Sequence, residues 1–187
     1  MRPAEPGRRA LLHAGRTLLA SEDLSRLSVS AIVTAADMAK GSFYQHWRSR
    51  ADYVLALHRA FHDRLMESVI ATIADLGPGR DRLAAGVGAY LDGCLAEPAT
   101  KALLVQARTE AGLGDEVAAR NRQAADVITA DLAAMGWHDP DPIAALLIAS
   151  IAETALLELT EGGRRDDLRD AILRLATASP DGGPPAA

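Results

Sequence analysis

The chain is short of aromatic residues, with seven Phe, Tyr and Trp among 187 positions, and it holds one cysteine, Cys94. A lone cysteine closes no internal disulfide, and such usage fits a reducing compartment. No run of about 18 uninterrupted apolar residues occurs, which argues against a membrane-spanning helix. The segment Met1 to Gly7 has no apolar signal core, so the expected location is the cytoplasm. Strand-like alternation and internal repeats are lacking. So are a nucleophile paired with its base, a phosphate loop and a zinc-protease pattern. Neither an enzyme nor a cofactor is expected.

Ala, Leu, Arg, Asp and Glu dominate instead, in long helical periods, and the chain is long enough to bury a real core. The fold class expected is all-α, with about nine helices. The first spans about 8–21, with Leu11, Leu12, Leu18 and Leu19 inward and Arg8, Arg9 and Arg16 solvated. The second, 28–36, has Ser28 as N-cap and Val29, Ile32, Val33 and Ala36 facing inward. After a turn at 37–39, the third spans 40–47. A fourth helix at 51–76 carries the stripe Val54, Leu57, Phe61, Leu65, Val69, Ile73 and Leu76. Gly77-Pro78-Gly79 ends it. Further helices are read at 82–96, 99–111, 116–135 (Asp115 as cap), 142–160 (Asp141 as cap) and 166–177. The eighth, 142–160, is apolar nearly all round and must be covered on several sides. The Pro-, Gly- and Ala-rich tail at 179–187 is expected to be disordered.

Charge divides the chain. The net charge is −5, yet residues 1–50 hold eight Lys/Arg against four acids and the remaining 137 hold twelve against twenty-one. A head of +4 on a body of −9 can attract phosphate at one end and disfavour it elsewhere. The scarce aromatics are equally uneven. Phe43, Tyr44, Trp47, Tyr53 and Phe61 lie within nineteen positions. Phe43 and Trp47 stand four apart, on one helical face, and are expected to pin the third helix to the first two while Tyr44 points away.

That third helix is too short and too polar to be core. Its Lys, Ser, Tyr, Gln and His side chains reach phosphates and base edges, and a short helix held by a tight turn against a second one is a helix-turn-helix arrangement for the DNA major groove. Over residues 32–50 the sequence reads I-V-T-A-A-D-M-A-K-G-S-F-Y-Q-H-W-R-S-R. It resembles the run I-A-x-x-A-G-V-S-x-G-T-L-Y-x-H-F-x-x-K of the TetR family of bacterial transcriptional regulators, and the resemblance covers about residues 8–57.

The resemblance implies a three-helix DNA-binding domain at 1–50 and a helical effector-binding and dimerisation domain at 51–178. It implies a homodimer formed through the eighth and ninth helices on a palindromic operator of double-stranded DNA, released by a small effector, and repression as the usual output. The DNA-facing positions carried over are Ser42, Tyr44, His46 and Arg50. Lys40, Gly41 and Gln45 lie on the exposed side, Lys40 suited to guanine and Gln45 to adenine. Ser28 and Ser30 can reach phosphate from the start of the second helix, although Ser28 serves equally as a cap. Pocket candidates are Tyr90, Cys94, Gln106, Arg108, Glu110 and Trp137, and the abundance of small residues suggests an apolar or amphipathic effector.

The sequence departs from the family run at three places. Asp23 and Asp37 replace glycines, and Ala39 replaces a serine that caps the third helix. His58 and His62, four apart, have metal-chelating spacing but no evident third ligand, and a solvated helix face is expected there. Two alternatives stay open from sequence: a DNA-binding factor that answers to no effector, and a helical metal- or ligand-binding protein.

Overall fold

A computed structural model describes residues 4–97, 99 and 113–178. Eight α-helices and one 3-10 turn account for the regular structure, with no strand among the described residues. The helices are α1 (Ala4–Leu19), α2 (Val29–Ala35), α3 (Lys40–Tyr44), α4 (Arg50–Ile73), α5 (Arg80–Ala96), α6 (Gly114–Ala134), α7 (Pro140–Glu161) and α8 (Asp166–Thr177). The helix expected at 99–111 and the tail lie outside the described residues. Two compact units emerge, one of residues 1–64 with 96–117, the other of 65–95 with 118–187.

The first unit is built on α1, α2, α3 and the start of α4. α1 begins earlier than expected because Pro6 is tolerated in a first turn and Glu5 complements the helix dipole there. Leu11, Ala14 and Leu19 of α1 are buried with Leu24, Leu27, Ile32, Val33 and Phe61. At their centre Phe43 and Tyr53 are fully buried and Trp47 nearly so. The ring centroids of Phe43 and Tyr53 lie 5.2 Å apart, those of Phe43 and Trp47 5.5 Å, and those of Trp47 and Tyr53 4.9 Å at 88°. Such edge-on and tilted pairs add about 0.5–1.5 kcal/mol each beyond their buried area. The Tyr53 hydroxyl donates to the carbonyl of Leu11 at 2.7 Å, fastening α4 to α1, and burial raises its pKa well above the usual phenol value. Gly15 makes that approach possible, since a Cβ there would stand 2.0 Å from the Tyr53 hydroxyl oxygen. His58 corrects an expectation. It lies buried rather than on a solvated face, with its ring 4.5 Å from that of His62.

The turn between α2 and α3 follows from backbone hydrogen bonding. The amide of Met38 donates to the carbonyl of Val33 and that of Asp37 to Thr34, the Schellman pattern that ends a helix through a left-handed residue. That residue is Asp37, with φ of 50°, the one non-glycine residue of positive φ among those described. Asp23, the other glycine replacement, has φ of −74° and needs no such freedom. Ser28 caps α2 as expected, its hydroxyl accepting from the Ala31 amide at 3.1 Å. Ala39 occupies the N-cap of α3 with no side-chain hydrogen bond, and Asp37 does not substitute for it. The α3 helix proper is shorter than expected, but hydrogen bonds from His46 and Trp47 to the Phe43 carbonyl carry the turn on to Trp47.

The second unit joins the end of α4 to α5, the rest of α6, α7 and α8. Asp131, buried on α6, accepts from the Gly79 amide at 2.9 Å and from Arg82 Nε at 2.6 Å, so one carboxylate caps α5 and pairs with its first turn. Asp115 falls inside the first turn of α6 instead of before it, and Asp139, not Asp141, stands at the N-cap of α7, followed by Pro140. Gly162, with φ of 75°, closes α7. α7 has the length and composition of a membrane span, but a third of its apolar window is buried inside the protein, and polar residues interrupt it. Of these, Glu158 is fully buried and holds Arg169 of α8 in a fork, with 2.7 Å from both Nε and Nη2. The Arg165 amide also donates to Glu158 at 2.8 Å, and Arg169 Nη1 reaches Asp92 of α5 at 2.5 Å.

Two predictions follow from these local balances. A left-handed Asp costs about 1 kcal/mol relative to Gly, and a missing cap about 1 kcal/mol. Asp37→Gly and Ala39→Ser should therefore each raise the melting temperature by about 2–4 °C. The second prediction concerns acid. Burial alone pushes the Glu158 carboxyl up, but Arg169, the Arg165 amide and Arg164 together hold it below its ordinary value of 4.5. The exposed Asp167 is held at about 2 by Arg165. Depressed carboxyls contribute stability that is present above their unfolded values and is lost as pH falls through the folded ones. Melting temperature should decline on acidification below pH 4.5 toward 2. Glu158→Gln should be about 3–5 kcal/mol less stable at neutral pH, yet lose less on acidification, because it has nothing to protonate there.

Candidate nucleic-acid interface

With Phe43 and Trp47 turned inward, the opposite side of α3 is left to solvent. Lys40, Gly41, Tyr44 and Gln45 are exposed, Tyr44 at 53%, while Ser42 and His46 are half-buried. These six positions sit on one short turn-and-helix segment, backed by the ring cluster. Ser28 and Ser30 are exposed at the start of α2, Ser28 with its oxygen already engaged as cap. The N-terminal part of α1 joins this edge. The Arg8 guanidinium lies 5.6 Å from the Trp47 ring centroid, in cation–π range, and the backbone at Gly7 passes close to Met38 and His46. Exposed Arg26 and Arg48 add positive charge to the same unit. Sequence reasoning passed over Arg8, Arg26 and Arg48 as potential phosphate neighbours, although the excess of basic residues in 1–50 pointed to them.

Arg50 is placed differently from the other candidates. Its Nε donates to the carbonyl of Leu27 at 2.7 Å and its Nη2 to the carbonyl of Leu24. The guanidinium thus ties the start of α4 to the 3-10 turn Leu24–Arg26, and half-buried as it is, its planar fork suits that task. Fastening of this kind is structural whatever else Arg50 touches.

The pocket candidates scatter. Tyr90 and Cys94 stand one turn apart on α5. Cys94 is fully buried and its thiol is pushed up to about 12, burial being the main cause, with the Tyr90 hydroxyl as a hydrogen-bond partner. Trp137 gives its indole Nε1–H to the carbonyl of Ala176 at 2.7 Å, closing the C-terminal turn of α8. Gln106, Arg108 and Glu110 lie outside the described residues. No group of three metal-binding side chains forms among the described residues, and His58 with His62 remains a pair.

Residues 11–57, from α1 into α4, match the family model for bacterial regulatory proteins of the tetR family. The head of this chain is a TetR-type helix-turn-helix domain. The match covers the helix-turn-helix head, and the rest of the chain shares the fold of solved TetR-like proteins. A TetR-like transcriptional regulator from Rhodococcus sp. RHA1 superposes with a TM-score of 0.77 at 18% identity, over 98% of this chain and 100% of that one. Another regulator from a Rhodococcus species gives 0.74 at 22% identity, over 91% and 97%. AibR, solved with isovaleryl coenzyme A and operator DNA, gives 0.69 at 18% identity, over 89% and 96%. At such identities the property shared is the fold. No curated protein matches the sequence.

Within the TetR-type head, Arg50 can be separated from the surface positions by experiment. Arg50→Ala removes the guanidinium donor from the Leu27 carbonyl, leaves the Leu24 carbonyl to the Leu27 amide, and should lower stability by about 1–3 kcal/mol. Thermal melts should show this directly. The drop should appear without DNA present, in contrast to changes at Tyr44 or Gln45, which should leave the melting temperature within about 2 °C.

Proposed function

We propose that this regulator is a ligand-responsive repressor that binds a palindromic operator as a homodimer and is released by a small effector. The observation that carries the DNA-reading half is the outward face of α3, where an exposed Tyr44 and Gln45 stand on a segment locked from behind by Phe43 and Trp47. Gly41 supports it. A Cβ at Gly41 would meet nothing within 4 Å, so the protein's own packing does not require a glycine there. Glycine inside a helix costs about 0.5–1 kcal/mol, and a use for it is close approach by another backbone. In this reading Lys40 and Gln45 face base edges, Ser42, Tyr44 and His46 hold phosphates, and Ser28 and Ser30 touch the strand beside the groove.

The body, residues 51–178, is assigned effector binding and pairing. On α7, Leu146 and Leu157 are exposed at 66% and 37%, and on α8 Leu175 at 59%. Leu146, Ala149 and Leu157 of α7 fall on one exposed face, which Glu153 and Thr160 share. A second copy covering α7 and α8 removes this apolar surface from water, and the pair then presents two α3 segments to successive major grooves about 34–36 Å apart. An apolar or amphipathic effector suits the small-residue composition. AibR, with its acyl-coenzyme A, is a fold relative that holds such a molecule. The effector acts by preferring the conformation that does not fit the operator.

Fluorescence anisotropy on DNA from upstream of the protein's own gene tests the reading. Tyr44→Ala should weaken binding about equally on operator and unrelated DNA and reduce the salt slope by about one. Gln45→Ala should change base preference at one position per half-site, at a cost of about 1–3 kcal/mol. Operator affinity unaltered in both variants refutes the assignment of α3. A thermal-shift screen of small molecules on the same protein separates a ligand-responsive repressor from a constitutive factor, because an effector raises the melting temperature.

A further inference from the structure

Arg9, His13 and Arg16 follow one another along one face of α1, and Arg64 of α4 stands across from them. Together they rim a groove of about 130 Å³ whose floor is apolar, with Leu12 and Leu57. It is large enough to admit a tetrahedral oxyanion. The groove lies wholly within the first unit. It is remote in purpose from α3, whose outward residues are absent from its lining.

One carboxylate already answers this positive charge, and answers it poorly. Glu97 Oε2 sits 3.6 Å from Arg16 Nη1 and 3.8 Å from Arg64 Nη2. Both distances exceed the 2.7–2.9 Å of a charge-assisted hydrogen bond. Both arginine side chains are more than a third exposed, and loose exposed pairs of this kind contribute little. Arg16 also donates to His13 Nδ1 at 3.3 Å, which draws the imidazole toward the same spot. Arg16 and Arg64 therefore share one loosely held carboxylate, with Arg9 and His13 beside them on the rim of the groove. An oxyanion with three or four oxygens can bridge Arg16 and Arg64 at true hydrogen-bond length, which two oxygens on the Glu97 stem do not achieve.

We propose that the α1–α4 groove is an anion site for a small molecule bearing a phosphate or carboxylate group, held between Arg16 and Arg64 with Arg9 and His13 at the rim, and that Glu97 is the internal competitor the ligand displaces. The α1 and α4 helices are the two that Tyr53 and Leu11 fasten together. An anion here tightens the same joint from its solvent side. The site does not depend on how α3 is used, and its test involves no DNA.

The test is isothermal titration of the full chain with inorganic phosphate at constant ionic strength, chloride being the balancing anion, with propionate as the carboxylate arm. Saturable phosphate binding is expected, weakened about tenfold or more in Arg16→Gln and in Arg64→Gln. Glu97→Gln should bind more tightly than the parent, since the competitor is gone. Arg122→Gln removes the same charge from the exposed surface of α6 and should bind as the parent does. A stronger response to propionate than to phosphate assigns the carboxylate source, and the reverse assigns the phosphate. Circular dichroism confirms that each variant is folded, and the opposite signs for Glu97→Gln and the arginine variants keep the outcome independent of stability. Absence of saturable binding to both anions, equal losses in Arg122→Gln and Arg16→Gln, or weaker binding in Glu97→Gln overturns the proposal.

Discussion

The hydrogen bond from Tyr53 to the Leu11 carbonyl, with the rings packed around it, sets the position of everything on the α3 side of the first unit. α3 is five residues long, too short to be stable alone, because helix nucleation is costly and one turn of hydrogen bonds does not offset it. Its orientation comes from tertiary contacts. Phe43 and Trp47 meet Tyr53, Tyr53 is fixed to α1, and Gly15 lets α1 come close enough. Five of the seven aromatic residues of the chain fall between positions 43 and 61. Their concentration matters because a rigid platform must be built under a helix that cannot supply its own rigidity.

The second unit uses a different means. Few rings are available there, and its described helices are joined by ionic and cap hydrogen bonds over an aliphatic core. Glu158 binds α7 to α8 through Arg169, and Arg169 continues to Asp92 on α5. Asp131 binds α6 to the first turn of α5. A buried pair of this sort is weak evidence of net stability compared with apolar side chains of equal volume, but removing one partner strands a charge. Its value here is register. Aliphatic residues on an Ala- and Leu-rich bundle pack nearly as well when helices slide by one turn, whereas a bidentate Glu–Arg fork does not.

How much was legible in the sequence depended on whether the deciding contact was local. Ser28 as cap, the α8 span Asp166–Thr177 and the inward Phe43–Trp47 pair all rest on spacing within one or two turns, and all are seen in the structure. What periodicity does not hold is the meeting of distant segments. Arg50 reaches back more than twenty residues to Leu24 and Leu27, so nothing around position 50 marks it as a fastening. His58 reads as one of two polar residues on a helix, but α4 is covered on that side and the ring is buried. Arg9 and Arg16 look like a solvated stripe until Arg64 is brought across from them and Glu97 to Arg16.

The turn between α2 and α3 shows what the ring platform permits. Where the family run has a glycine and a capping serine, this chain has Asp37 in the left-handed region and Ala39 with no cap hydrogen bond. Each departure costs about 1 kcal/mol locally, a large fraction of what a single short helix has to offer. The geometry nevertheless survives, with both Schellman hydrogen bonds in place, at 2.9 Å from Met38 to Val33 and 3.1 Å from Asp37 to Thr34. Local propensity is therefore not what fixes the turn. The inward pull of Phe43 and Trp47 is, and with the turn over-determined from within, residues 37 and 39 are left free to vary chemically at the edge of the surface that Tyr44 and Gln45 present.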